Sequence, residues 1–216
     1  MIAGNSNAWA NRAFRLGLPL AAALLLSSCA GQGNQALGEY LVKNQAEYRE
    51  AVEGIKPGQT ITLANGTWND FEILFVGQGE KDKPIRLMAE TKGEVVLTGQ
   101  SNLRLGGEYL EVSGLVFKDG YTPTKEVISF RRDKDLLANN SRVTEVVIDS
   151  FNQPERYEVD MWVAMYGKNN RFDRNHLTGK RNKGVTMAVR MNSEASQEKE
   201  AGAPDQVGSQ APQEGL

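Results

Sequence analysis

The sequence predicts an all-β chain wound as a right-handed, single-stranded parallel β-helix, with a short helix capping its N-terminal end. Three observations lead there. First, beyond Gln59 no long helical pattern occurs. Short apolar runs recur instead, among them Ile61 to Leu63, Phe71 to Val76, Ile85 to Met88, Val95 to Leu97, Leu110 to Phe117, Val127 to Phe130, Val143 to Ile148 and Trp162 to Met165. Runs of this length, separated by Gly, Asn, Asp or Lys turns, read as strands. Second, the runs repeat. Tyr109 to Phe117, Glu145 to Phe151 and Asn170 to Leu177 align with Val112, Ile148 and Phe172 as apolar rungs, followed by Gly114, Ser150 and Asn175. Their spacing falls in the ~20–50 residue range that marks a solenoid. Third, one short amphipathic helix precedes the runs, as expected where a stack of coils needs an end cap. Asn65-Gly66 and Asp119-Gly120, dipeptides that also make tight hairpins, keep a β-sandwich open as the alternative.

Taken in order, the chain begins with a segment that reads as an export signal. Arg12 and Arg15 precede an apolar run from Leu16 to Leu26, and Ser27-Ser28-Cys29-Ala30 follows. A basic start, a short apolar stretch and small residues at the end define a signal peptide, here residues 1–28. The run is too short to span a bilayer as a stable helix. Leu26-Ser27-Ser28-Cys29 resembles the bacterial lipobox, which makes Cys29 the lipidation site and residues 29–38 a tether. The expected place is the outer membrane or periplasm of a Gram-negative bacterium, with the membrane reached through the lipid anchor only. With a single Cys in 216 residues, neither a disulfide framework nor a Cys-based metal site is available. A formal net charge of -2 argues against nucleic acid as a partner.

The helix is read from its cap. Asn44-Gln45-Ala46-Glu47 fits a capping box, with Asn44 as N-cap and Glu47 reaching back. Tyr48, Ala51, Val52 and Ile55 then form one apolar face, and Gly54, Pro57 and Gly58 stop the helix. So short a helix is marginal in water, so its face must cover something. The coils follow over residues 39–198. Near their end, Val185, Met187, Val189 and Met191 alternate with polar residues, the pattern of a strand with one buried face. From Lys199 to Leu216 the chain has one Val, one Leu and many Gly, Pro, Gln and Glu, so residues 199–216 are read as a disordered tail.

Candidate functional residues are few. His176, the only His, has no Cys or paired carboxylates beside it, so it reads as a turn or rung residue rather than a metal ligand or catalytic base. Gly77-Gln78-Gly79 leads into charged residues and not into a helix, so it is no phosphate loop. Lys180, Arg181 and Lys183, with Arg171, Arg174 and Arg190, form the densest basic group. Such a group either keeps a turn soluble or lines a groove for a polyanion, because Arg clamps carboxylates bidentately and Lys adds a point charge. Tyr166, before Gly167, either stacks on a sugar ring or packs inside a rung.

A family likeness is carried by specific residues. Glu39-Tyr40-Leu41-Val42 and Lys56-Pro57-Gly58-Gln59-Thr60-Ile61-Thr62-Leu63-Ala64-Asn65-Gly66-Thr67-Trp68 resemble the opening of many pectin-lyase-like β-helices. Pro84 to Glu90, Gly93, Val95 to Gly99 and Tyr109 to Gly120 narrow the likeness. Asn169 to Gly184 and Arg190-Met191-Asn192-Ser193-Glu194-Ala195-Ser196-Gln197-Glu198 make it specific. Over residues 39–198 the chain resembles polysaccharide lyase family six, the alginate lyase and chondroitinase B group. The resemblance implies β-elimination on an acidic polysaccharide, alginate ahead of dermatan sulfate. In the family, calcium held by oxygen ligands neutralises the uronate carboxylate, a Lys takes the C5 proton and an Arg assists the leaving oxygen.

The likeness stops at Glu198. The family's Asn-Gly-Gly-Glu motif should start the next coil, and its Glu ligands, Lys base and Arg-His-Gly motif should follow. None is found. The resemblance therefore implies no catalytic residue and no metal ligand here, and no calcium bound by this chain. Of possible substrate contacts, Tyr166 matches a family position, while Lys180 and Arg190 are chosen by charge. The expectation is an N-terminal fragment of a poly(uronate) lyase, inactive alone, with a frameshift or early stop near codon 199. The alternatives are a non-catalytic cell-surface lipoprotein that binds acidic polysaccharide, and a decayed fragment whose last coil presents an unpaired edge.

Overall fold

The computed structural model describes residues 38–190. The signal segment, Cys29, the tether up to Leu37, the last predicted coil residues from Met191 and the tail all lie outside the described residues. Among the described residues no helix is long and apolar enough to cross a membrane.

The chain opens with β1 (Glu39–Val42) and α1 (Gln45–Glu53). It then winds as a parallel β-helix, each coil giving one strand to each of three sheets. The coils are β2 (Thr60–Leu63), β3 (Gly66–Asn69) and β4 (Glu72–Gln78); then β5 (Ile85–Ala89), β6 (Val95–Gln100) and β7 (Asn102–Glu108). Next come β8 (Leu110–Ser113), β9 (Leu115–Tyr121) and β10 (Glu126–Ser129), with the short β11 (Ala138–Asn139) after them. The last coils are β12 (Arg142–Thr144), β13 (Val147–Asp149) and β14 (Met161–Met165), then β15 (Arg171–Asp173), β16 (His176–Thr178) and β17 (Met187–Val189). The first sheet runs β1-β2-β5-β8-β12-β15 and the second β3-β6-β9-β13-β16. In the third, β7 pairs with β4, β10 and β11, and β10 leads on to β14 and β17. Every pairing of named strands is parallel.

Apolar rungs stack in register along the axis. Ile61, Leu87, Val112, Val143 and Phe172 align in the first sheet. Trp68, Leu97, Phe117, Ile148 and Leu177 align in the second, and Ile73, Leu103, Ile128, Val163 and Met187 in the third. Each buried Leu or Phe contributes about 1.5–3 kcal/mol of burial free energy, so these stacks account for most of the fold's cohesion.

This register corrects the repeat read from the sequence. Ile148 stacks on Phe117 and Leu177 in the second sheet, not on Val112 and Phe172; Val143 fills that rung. The cause lies at the corners, which need a left-handed residue. Tyr109, Asn140 and Asn169 supply it at one corner, and Gly114, Glu145 and Arg174 at the next. Only one of these six is Gly, although a left-handed conformation strains other L residues, so the repeat is not marked by small residues. The loop Arg131 to Leu137, closed by an antiparallel bridge, also lengthens one coil. The Asn-Gly and Asp-Gly dipeptides make no hairpins. Gly66 opens β3, and Asp119 (φ 53°) turns the end of β9 where Gly120 packs on Gly99; a Cβ on Gly120 would collide with Gly99 O.

The helix behaves as its cap predicts. Asn44 Oδ1 accepts from the backbone N–H groups of Ala46 and Glu47, both at 3.0 Å. Glu47 reaches back to the N–H of Lys43 (2.7 Å). Tyr48 is buried, its ring edge-on to Phe71 with centroids 5.1 Å apart and its hydroxyl donating to Leu74 O. Ala51, Val52 and Ile55 pack, half-buried, on the first coil.

The last coil differs from expectation. Val185, Met187 and Val189 are exposed, Val189 at 76%. Period-two alternation there marks a strand, but among the described residues no further coil covers its apolar face.

Candidate functional site

Two polar features of the third sheet's side of the solenoid bear on function. One surrounds Tyr166, at the end of β14. Its ring is only 5% exposed. The Arg131 guanidinium lies 3.9 Å from the ring centroid, and the hydroxyl donates to Glu126 Oε1 at 3.3 Å. Arg131 also pairs with Glu126 at 3.4 Å. Burial pushes the Tyr166 hydroxyl above its usual range, against a smaller opposing pull from Arg131. In this structure the Arg131 guanidinium stacks over the Tyr166 ring. Tyr166 is thus packed against Arg131 and Glu126. Arg190, at the end of β17, is exposed and its guanidinium approaches Met161 Sδ at 3.3 Å.

The second feature is built around Lys180. Its ammonium is not offered to solvent: the side chain is 9% exposed and pairs with Asp160, itself fully buried. The ammonium also donates to Asn182 Oδ1 (3.3 Å) and sits 5.5 Å from the Trp162 ring centroid. Asn182 Nδ2 donates to Asp160 Oδ1 (2.8 Å) and to Glu158 O (3.0 Å). A buried pair of this kind holds geometry more than it adds stability, because both charges are desolvated.

What the network holds is a loop. The backbone from Pro154 to Asp160 is clamped to the turn after β16 by Lys183 N–H to Arg156 O (2.8 Å) and Asp160 N–H to Lys183 O (3.2 Å). Gly184 lies so close that a Cβ on it would collide with Asp160 O. On the other side, Asn152 accepts from the Arg181 N–H (2.8 Å) and donates to Gly179 O (2.9 Å). Between loop and turn lies a cavity of about 590 Å³ lined by Asn152, Gln153, Pro154, Arg156, Arg181 and Asn182.

The predicted basic group therefore divides. Arg171 and Arg174 lean on Asp173, which Arg142 already grips through two 2.8 Å bonds. That grip, with lesser help from Arg171 and Arg174, holds the Asp173 carboxyl below the usual range. Lys180 is consumed by Asp160. Arg181 and Lys183 stay exposed, and Arg181 faces the cavity. His176 is exposed on β16. Sequence reasoning passed over Arg156 and Tyr157. The available signal was Arg156 lying about one coil before Arg181, within a polar stretch that holds a lone Tyr.

Among the described residues the calcium implied by the resemblance finds no donor set. Asp173 is ringed by Arg142, Arg171 and Arg174, and Asp160 by Lys180 and Asn182. Among the described residues no group of three or more His, Cys, Asp or Glu side chains is placed to hold a metal ion.

The chondroitinase B family model matches residues 42–199. The chain belongs to the chondroitinase B family. Among solved structures, these chondroitinase B family coils are similar to the polysaccharide lyase family 6 alginate lyase AlyGC. Identity is 64% and the TM-score 0.72, over 73% of this chain and 22% of that one. A family 6 lyase from Pseudopedobacter saltans is 31% identical with a TM-score of 0.66, over 71% of this chain and 34% of that one. A mannuronic acid specific family 6 lyase from human gut microbiota is 30% identical with a TM-score of 0.66, over 70% and 36%. The chain thus spans about a fifth to a third of the lengths of these lyases. A search of curated proteins returned no match.

Proposed function

We propose that these coils are the N-terminal part of a lyase that cleaves poly(uronate) chains such as alginate by β-elimination, and that the chain makes no cut by itself. The observation that carries this reading is the 64% identity to an alginate lyase over residues that amount to 22% of that enzyme. The described residues contribute a rigid stack and exposed cations. Calcium, when bound by the intact lyase, would neutralise the uronate carboxylate; its ligands would come from coils beyond these. Export as a lipoprotein through Cys29, to the outer membrane or periplasm, is part of the same proposal.

The test is direct. Purified protein mixed with alginate and calcium should give no rise in ultraviolet absorbance from unsaturated uronate ends. A sustained rise would overturn the claim of inactivity. Labelling with a radioactive fatty acid, lost in Cys29→Ser, tests the anchor.

A second reading, acidic-polysaccharide binding without cleavage, is favoured by the exposure of Arg181 and Lys183. Lys180 is not part of that surface. Retardation of the protein in alginate-containing gels would support it, and unaltered migration would remove it.

A further inference from the structure

We infer that the cavity between the loop Asn152 to Asp160 and the turn Gly179 to Gly184 is a subsite for one uronate residue. Arg156 and Arg181 would grip the sugar carboxylate and Tyr157 would flank the ring. The inference rests on the reading of the chain as a poly(uronate)-handling module and assigns the contact to particular side chains.

Four observations carry it. The cavity, at about 590 Å³, lies within the range of small-ligand sites. Two arginines, Arg156 and Arg181, line it, and neither is paired with a carboxylate among the described residues. By contrast Arg86, Arg104, Arg131, Arg132, Arg142, Arg171 and Arg174 all are, while Arg49 bonds Gln45 and Arg190 approaches Met161. An arginine fork matches a carboxylate through two parallel bonds, and charge-assisted bonds are the strong ones. Third, Tyr157, next to Arg156 and not itself among the residues lining the cavity, is 82% exposed. An aromatic ring with an apolar body and a polar tip suits the face of a sugar. Fourth, the site is preorganised. Gln153 is fixed by its bond to Thr122 O (2.8 Å), Asn152 by Arg181 and Gly179, and the loop backbone by Lys183 and the Lys180–Asp160–Asn182 network. Ordering that precedes binding lowers the entropy lost when the ligand arrives.

The network also explains why Lys180 stands in a basic turn without meeting solvent. It is a positioning residue that fixes the loop carrying Arg156 against the turn carrying Arg181. The acidic neighbours Glu155 and Glu158 are exposed on the same loop and outside the residues lining the cavity. Neutral sugars lack the carboxylate that the two arginines select.

The experiment is affinity electrophoresis of the full chain in gels containing oligomannuronate, with neutral dextran as the comparison polymer. Wild type should be retarded by the uronate and not by dextran. Arg156→Gln/Arg181→Gln should raise the apparent Kd by about tenfold per lost arginine. Lys81→Gln/Lys134→Gln, with the same change in charge at remote exposed positions, should migrate as wild type. Tyr157→Ala should weaken retardation by a smaller factor. Circular dichroism and thermal melting confirm that each variant is folded. Equal retardation of the Arg156/Arg181 variant and wild type overturns the subsite and leaves polysaccharide binding elsewhere on the chain intact. Equal retardation by dextran overturns the uronate assignment. No retardation of wild type also overturns the subsite. The lyase reading is judged separately, by whether a chimaera joining residues 39–190 to the remaining coils of AlyGC releases unsaturated uronate ends.

Discussion

The two ends of the solenoid are built from similar strands and end differently. At the N-terminal end α1 lays Tyr48 over Phe71, and the rung stacked on β1, Ile61 and Leu63, is fully buried. At the other end the last rung of the described residues is Phe172 and Leu177, both half-buried, and Met187, which is 41% exposed. The residue types hardly differ. Among the described residues, what differs is whether a neighbour lies above the rung. A coil in a parallel solenoid buries its face only against the next coil or a cap, so exposure at β17 reports position in the stack and not strand quality.

That contrast can be broken by substitution, starting with the largest effect. Lys180→Met strands Asp160 as a buried, uncompensated carboxylate, at a cost of about 3–5 kcal/mol. Urea unfolding followed by hydrogen exchange should show the loss concentrated in β14 to β17. Leu103→Ala, in a rung covered on both sides, should cost about 2–5 kcal/mol. Met187→Ala, at the same register position in the last described coil, should change stability by no more than about 0.5 kcal/mol. Equal losses at the two positions would mean that β17 is covered in solution. Asn44→Ala removes the helix cap and should cost about 1 kcal/mol, read as a lower melting temperature and faster exchange in β1 and α1.

The smallest effect is a pH dependence near the last described coil. Asp173 has its folded pKa depressed, chiefly by Arg142. Its contribution is therefore complete above the unfolded Asp pKa of about 3.9, and is lost as pH falls through the lower folded value. The difference in melting temperature between wild type and Asp173→Asn should be constant at neutral pH and shrink on acidification. An unchanged difference at low pH would show that the Arg142 grip is not made in solution.

Much of the fold was legible because it is local. The cap at Asn44 and Glu47 needs only four residues, and the strands at Ile61, Ile85, Val95 and Leu110 announce themselves by length and turn residues. The register was not legible. Ile148 and Val143 are both β-branched, apolar and near a polar corner, and only pairing with Phe117 or Val112 tells them apart. Reading Val185, Met187 and Val189 as a buried face had the same weakness: alternation shows which residues share a face and not what lies against it.

The site divides likewise. By itself the sequence determined the solenoid class, the helix cap and the family, since those depend on residue type, short-range order and motif. It also showed where cations are dense. Only the tertiary structure decided which cations can act. Asp160 precedes Lys180 by nearly a coil, yet stacking brings them into contact and withdraws Lys180 from solvent. The same stacking covers Tyr166 with Arg131 and brings Arg156 beside Arg181. The physical reason is that a side chain's charge is fixed by its chemistry, whereas its partner and its exposure are fixed by the coil above and the coil below.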